Sequence, residues 1–222
     1  MIIMRKEEKN DIERIKYIYD KAAINPITYY LDAFFGMTTQ NSLYRKIAIA
    51  NLDLKENNVV LDLACGTGYN FKIIEKYLKN TGKLIGIDIS AQSLMAAKKR
   101  AKKHGWTNIE LVNIDFTKYE PKDPINAVLT TLALEIIPDY KTAIDKIHEL
   151  LLPKGRFSMI GMKLNNKVLF KPLNIFLEKI SRSVYIDYNR DILKYIKSKF
   201  GKIDFFKEFN SGYFYILTVR KR

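Results

Sequence analysis

Cysteine is almost absent from this 222-residue chain, and its one thiol, Cys65, cannot form an internal disulfide. A reducing compartment is the corresponding expectation. Long apolar runs are also missing. No 18 successive apolar residues occur, so no membrane-spanning helix is expected. The apolar stretch that opens the chain is too short for a signal-peptide core. No repeat or low-complexity linker appears. One domain is therefore expected: an N-terminal helical segment over 1–52, a ligand-binding core over 53–160, and a basic amphipathic segment with a final hairpin over 161–222. Acid is in short supply, with 38 Lys and Arg against 24 Asp and Glu, a formal charge of +14. Such an excess draws a protein to nucleic acid or to an anionic membrane surface. A chain rich in Lys, Ile and Asn is also what an AT-rich genome yields. Cytoplasmic placement is expected, with the inner face of the membrane as a peripheral site. No metal site is expected.

The stretch that organises the rest is Val59 to Asn70. Aliphatic and β-branched residues, interrupted only by Asp62, give way to Gly66-Thr67-Gly68 and then to a helical pattern over Tyr69 to Leu78, as in a buried parallel strand that turns into a helix. Glycine suits a turn where backbone approaches a ligand and φ becomes positive. A dinucleotide fingerprint would need a third glycine where Phe71 stands. Asp62, four residues before Gly66, would repel a pyrophosphate and suit an ammonium. The ligand is expected to bring a cation, and no phosphate is needed.

The next strand ends in Asp88, 22 residues after Gly66, where a carboxylate accepts both hydroxyls of a ribose. A third apolar segment, Ile109 to Phe116, ends in Asp115, placed to accept from the exocyclic amine of adenine, with Phe116 and Ile89 flanking the ring. Three acids at the C-terminal ends of three successive strands lie where open α/β sheets bind ligands.

Asp62-Leu63-Ala64-Cys65-Gly66-Thr67-Gly68, Gly86-Ile87-Asp88-Ile89-Ser90 and Asn113-Ile114-Asp115-Phe116, in this order and spacing, resemble the motifs of class I S-adenosylmethionine (SAM) dependent methyltransferases. The resemblance covers residues 40–160. It implies SAM as cofactor and a doubly wound, mostly parallel α/β sheet of seven strands, Rossmann-like, with an antiparallel C-terminal hairpin. It further implies donor contacts from Arg45, Asp62, Ala64, Cys65, Gly66, Thr67, Gly68, Asp88, Ile89, Asn113, Asp115, Phe116 and Thr131. Arg45 follows Tyr44 where that family often has a Tyr-Arg pair, and its guanidinium is expected to fork onto the SAM carboxylate.

Along the chain, residues 9–23 read as an amphipathic helix ended near Pro26. Ile27 to Met37 is strongly aromatic. Tyr19, Tyr29, Tyr30 and Phe34 are expected to line the acceptor pocket or to dip into a membrane. Helices are expected over Ser42 to Leu52, over Ala91 to His104 with Ser90 as N-cap and Gly105 as terminator, over Tyr140 to Leu152, and over Asp187 to Phe200. The fourth strand and its exit loop are expected over Ile125 to Glu135, the fifth strand over Gly155 to Met162, and two more over Lys202 to Phe209 and Gly212 to Val219, joined by a hairpin turn at Asn210-Ser211-Gly212. Between Lys163 and Arg182, lysines alternate with large apolar residues, as in a membrane-surface helix, a lid over an oily acceptor, or a packed helix with snorkelling lysines.

Methyl transfer from a sulfonium needs alignment and exclusion of water more than a universal catalytic residue. Tyr19, Tyr30 and Glu135 are the candidate proton acceptors. No N-P-P-[FY] motif follows the fourth strand, and no F-G-x-R-N run of the quinone C-methyltransferase kind is present. Tyr44-Arg45, Ala133 to Asp139 and Gly212 to Tyr215 are similar to phospholipid and betaine-lipid N-methyltransferases. That similarity implies a lipid amine acceptor. A soluble small molecule accepting at N or O is the alternative, and RNA methylation or donor binding without catalysis are further ones.

Overall fold

In a computed structural model, residues 6–22 and 42–222 are described. The outer helix α1 (Lys6–Ala22) is followed, after residues 23–41, by α2 (Leu43–Ala50) and then by strand β1 (Val59–Leu63). The chain next alternates α3 (Phe71–Leu78), β2 (Lys83–Asp88), α4 (Ala91–His104), β3 (Ile109–Asn113), β4 (Ile125–Thr131), α5 (Tyr140–Leu150) and β5 (Leu151–Met162). Helices α6 (Lys171–Ser183) and α7 (Ile192–Phe200) precede the hairpin β6 (Ile203–Phe209) and β7 (Phe214–Arg220). The strands form one seven-stranded sheet in the order β3-β2-β1-β4-β5-β7-β6. β1 to β5 run parallel, whereas β7 is antiparallel to both β5 and β6. This is the expected doubly wound sheet with its C-terminal hairpin.

The period-two alternation of the strands divides the core into two layers. Leu61, Leu63, Ile85, Ile87, Val128 and Phe157 face α5 and α7 through Ile144, Ile147, Ile196 and Phe200. Val60, Leu84, Ala127, Leu129 and Ile160 face α2, α3 and α4 through Ala48, Ile49, Phe71, Ile74 and Leu94. By parity Asp62 shares the face of Val60, so its carboxyl lies under α2 and α3 and not among the helices of the other side. The strand order reverses between β1 and β4, and the crevice above that reversal is where ligands bind in open α/β sheets.

Several boundaries differ from expectation, each for a local reason. The helix expected from Tyr69 begins at Phe71, because the preceding Asn70 turns its amide to Asp62. β5 begins at Leu151, four residues before Gly155, since α5 ends as Leu151 takes an extended conformation and pairs with Ile125. The helix expected from Asp187 begins at Ile192. Asp187 Oδ1 accepts from the Asn189 N–H and closes a turn, and Arg190 is spent on carbonyls of another loop. Ser90 caps α4 by accepting from the Ser93 N–H at 3.1 Å, and Gly105 ends it at φ +70. The final hairpin turns at Asn210, Ser211 and Gly212, all with positive φ.

Phe71 joins core and turn. Its ring is fully buried, and a Cβ added at Gly68 would lie 2.7 Å from it. Removing that ring, by Phe71→Ala, is expected to cost about 3–4 kcal/mol in urea unfolding. A loss below about 1 kcal/mol would show that the ring does not support the turn.

Candidate active site

β1 delivers Asp62 to the crevice and then bends through Ala64 (φ +53), Gly66 (φ +54) and Gly68 (φ +77). A Cβ placed on Gly66 would meet nothing within 4 Å. Backbone conformation therefore calls for glycine there, and the space beside it is open to a ligand. Arg100 of α4 braces the bend from outside, donating from Nε to the Thr67 carbonyl at 2.8 Å while its guanidinium lies over the Tyr69 ring at 4.4 Å. Cys65 is buried, and burial followed by the nearby Asp62 and Asp88 carboxyls pushes its thiol well above the ordinary range. A thiol held in that state is a poor nucleophile.

Asp62 is fully buried, and both its oxygens accept from Asn70 Nδ2, at 2.9 and 3.1 Å. Asn70 Nδ2 also donates to Thr131 Oγ1 at 3.2 Å, and Asn70 Oδ1 accepts from Arg45 Nη1 at 2.6 Å. One amide thus gathers Arg45, Asp62 and Thr131 from three elements. Burial raises the Asp62 pKa to about 7, against the pull of the Asn70 hydrogen bonds and the Arg45 charge. A rise of that size disfavours the charged form by on the order of 4 kcal/mol. An ammonium about 4 Å away returns a similar amount at an effective dielectric near 20, so a bound cation ionises Asp62.

Asp88 is anchored by two backbone donors, Gly66 N–H to Oδ2 at 2.8 Å and Ser90 N–H to Oδ1 at 2.8 Å. Burial raises its pKa, while those donors pull it down. Each oxygen retains a second lone pair for a hydroxyl. Asn113 Nδ2 donates to the Asp88 carbonyl at 2.9 Å and fixes the ends of β2 and β3 to each other. Asp115 Oδ1 accepts from the Thr117 N–H and hydroxyl at 3.0 and 2.9 Å, whereas its Oδ2 is buried without a hydrogen-bond partner among the described residues. A buried acceptor left open costs roughly 1–3 kcal/mol, so it marks a place for a donor such as an aromatic amine. Ile89 is partly exposed beside Asp88, and Phe116 is packed in the core at 4% exposure.

Glu135 lies elsewhere on the rim, in the loop after β4. Its Oε1 accepts from the Met162 N–H at 2.8 Å, and its Oε2 is buried without a hydrogen-bond partner among the described residues. Burial raises its pKa to about 7. Gly161 makes room for it, because a Cβ there would fall 2.5 Å from the Tyr215 hydroxyl and 2.7 Å from Glu135 Oε1. The loop is strapped down by the segment before α7. Asp187 N–H donates to the Glu135 carbonyl at 2.9 Å, and Arg190 Nη1 donates to the carbonyls of Leu134, at 2.8 Å, and of Ile137.

The motif residues therefore meet as one rim, with Glu135 at its β5 end. Tyr19 is half-buried on α1, and its neighbour Asp20 accepts from Ser90 Oγ at 2.6 Å and the Gln92 N–H at 3.2 Å. This places α1 at the β2–β3 side of the rim. Tyr29, Tyr30 and Phe34 lie outside the described residues. Sequence reasoning passed over Asn70, Arg100, Asp20, Gly161 and Tyr215. Only Asn70, two residues past Gly68 and just before the helix, carried a local signal, that of a helix-start residue.

A ligand with a cationic amine, a ribose and an exocyclic amine would match these acids, and the seven-stranded order with β7 antiparallel at its end is the class I methyltransferase architecture. The chain belongs to the methyltransferase-domain family, whose model matches residues 54–199, and is of the SAM-dependent kind. It is 26% identical over 156 residues to a demethylmenaquinone methyltransferase of Oceanobacillus iheyensis, covering 66% of this chain and 65% of that one. It is 25% identical over 160 residues to a 2-phytyl-1,4-naphtoquinone methyltransferase of Nostoc, covering 71% and 69%. The matches span about two thirds of these relatives' own length. Among solved structures, a SAM-dependent methyltransferase from Aquifex aeolicus superposes with a TM-score of 0.62 at 17% identity, covering 80% of this chain and 89% of that one. The N-methyltransferase NodS from Bradyrhizobium japonicum, in complex with S-adenosylhomocysteine, superposes with a TM-score of 0.68 at 13% identity, covering 94% and 98%. These two show a shared fold.

SAM affinity is expected to weaken as pH falls through about 7, by at most tenfold per unit, because Asp62 takes up a proton that the ammonium must displace. In calorimetry Asp62→Asn should bind about 100-fold more weakly, with a flat profile over this range. A wild-type affinity independent of pH between 5 and 8 would separate Asp62 from the cation.

Proposed function

We propose that the protein transfers the methyl group of SAM to a small-molecule acceptor whose nucleophile sits beside Glu135 at the exit of β4. The observation that carries this reading is the rim of three acids with Glu135 as a fourth at its β5 end, where Asp115 Oδ2 and Glu135 Oε2 are both buried acceptors without protein donors among the described residues. In it Asp62 takes the methionine ammonium, Asp88 the ribose hydroxyls and Asp115 the adenine amine, with Asn70 and Arg45 setting the orientation of Asp62. Bound SAM supplies an already activated methyl group. The residues align it and keep water out.

The acceptor's nucleophile forms the new bond to carbon as the carbon–sulfur bond breaks, and the sulfur keeps that electron pair in a neutral thioether. The acceptor's proton passes to Glu135 Oε2. A carboxyl poised near neutrality is placed to take it. The curated relatives' names specify quinone-type small molecules as their acceptors, which supports an acceptor of that size class. A phospholipid headgroup, the acceptor expected from the sequence, is the second reading. The apolar residues exposed along α6, which follows β5 at this rim, favour it.

Transfer from methyl-labelled SAM into a cell extract separates the two. Label in small metabolites or extractable small apolar compounds supports the main reading, and label confined to phospholipids replaces it with the second. Asp88→Ala should abolish transfer together with SAM binding. Glu135→Gln keeps the hydrogen bond to Met162 and should leave SAM affinity unchanged. It should lower kcat about 100-fold and remove its rise through pH 7. An unchanged kcat would exclude Glu135 as the base.

A further inference from the structure

Helix α6 and the turn before it are built inside out. Asn174 points inward, donating to the Asn165 carbonyl at 2.7 Å and accepting from the Tyr213 hydroxyl at 2.9 Å. Ser181 is buried at 4% exposure. On the opposite face Val168, Leu169, Leu173, Ile175 and Phe176 stand in solvent, Leu169 at 83% and Phe176 at 59%. Leu169, Leu173 and Phe176 are spaced four and three residues apart, the repeat of a single helical stripe. An outward apolar stripe of this kind marks a surface that another body covers, a membrane or a protein.

The flanking charges identify that body. Lys167, Lys171 and Lys179 are exposed on the same segment, and the only acid between Lys163 and Ser183 is the half-buried Glu178. The chain as a whole carries +14. An apolar stripe bordered by lysines is complementary to a bilayer with anionic headgroups: side chains enter the acyl boundary while ammonium groups stay at the phosphates. The helix is tied to the Glu135 loop at both ends: it follows within ten residues of Met162, whose N–H donates to Glu135, and its Ser181 carbonyl accepts from the Ile186 N–H, next to Asp187, whose N–H donates to the Glu135 carbonyl.

We propose that the outward face of α6, from Val168 to Lys179, docks on an anionic membrane surface and lays the acid-lined rim against the bilayer. Docking does not depend on the acceptor reading, since vesicle binding is read without SAM or acceptor. If that reading also holds, apolar acceptors reach Glu135 from the lipid.

The full chain should co-sediment with phosphatidylglycerol-rich vesicles and not with pure phosphatidylcholine, and added salt should weaken binding. Replacing Lys167, Lys171 and Lys179 by Ala should weaken it about 100-fold, at roughly 1 kcal/mol per lysine. Leu169→Asp with Phe176→Asp should abolish it while circular dichroism and SAM affinity stay at wild-type values. No vesicle binding, or binding that both variants retain, overturns the proposal. So does a concentration-dependent dimer, without vesicle binding, that Leu169→Asp with Phe176→Asp dissolves, because a second copy then covers the face.

Discussion

A carboxyl group with no access to water, Asp62, sits at the point where the sheet reverses its winding, and the rest of the site is arranged around that cost. An isolated buried carboxylate is untenable, so its neighbours must supply donors or let it take a proton. Asn70 supplies two hydrogen bonds, yet burial still wins and holds the group near half protonation at neutral pH. A cationic ligand therefore meets a site that its own charge completes. The bend at Gly66 and Gly68, the helix begun at Phe71 and the brace from Arg100 all serve to keep Asn70 over that carboxyl.

The two ends of the rim obey different electrostatics. At Asp88 burial raises the pKa, but backbone N–H groups fixed on both oxygens pull against that rise and leave lone pairs for neutral hydroxyls. At Glu135, one backbone donor faces heavy desolvation, and the carboxyl stays close to neutrality. The first offers two anchored acceptor oxygens, and the second has an oxygen without a donor among the described residues. The strap of Asp187 and Arg190 across the loop after β4 sets that second environment, although both residues lie some 50 positions further along the chain.

Helix α6 shows the limit of reading amphipathicity from a sequence. Its lysine and apolar alternation is equally compatible with packing on the sheet, with a lid and with a surface helix. Which face turned inward depended on Asn165 and Tyr213, the partners that claim Asn174. Because those hydrogen bonds fix the polar side toward the protein, the apolar side is left outside.

The chain's own order of residues determined the fold class and the three acids of the rim. Hydrophobic periodicity, glycines at a forced bend and acids at strand ends are local properties, readable before any folding. Tertiary structure alone decided that Asn70 joins Arg45, Asp62 and Thr131, that Gly161 clears space for Glu135 and Tyr215, and that α1 reaches α4 through Asp20. Each of these depends on side chains far apart in sequence meeting at one depth in the molecule. Sheet register and helix packing set that depth, and no local pattern carries it.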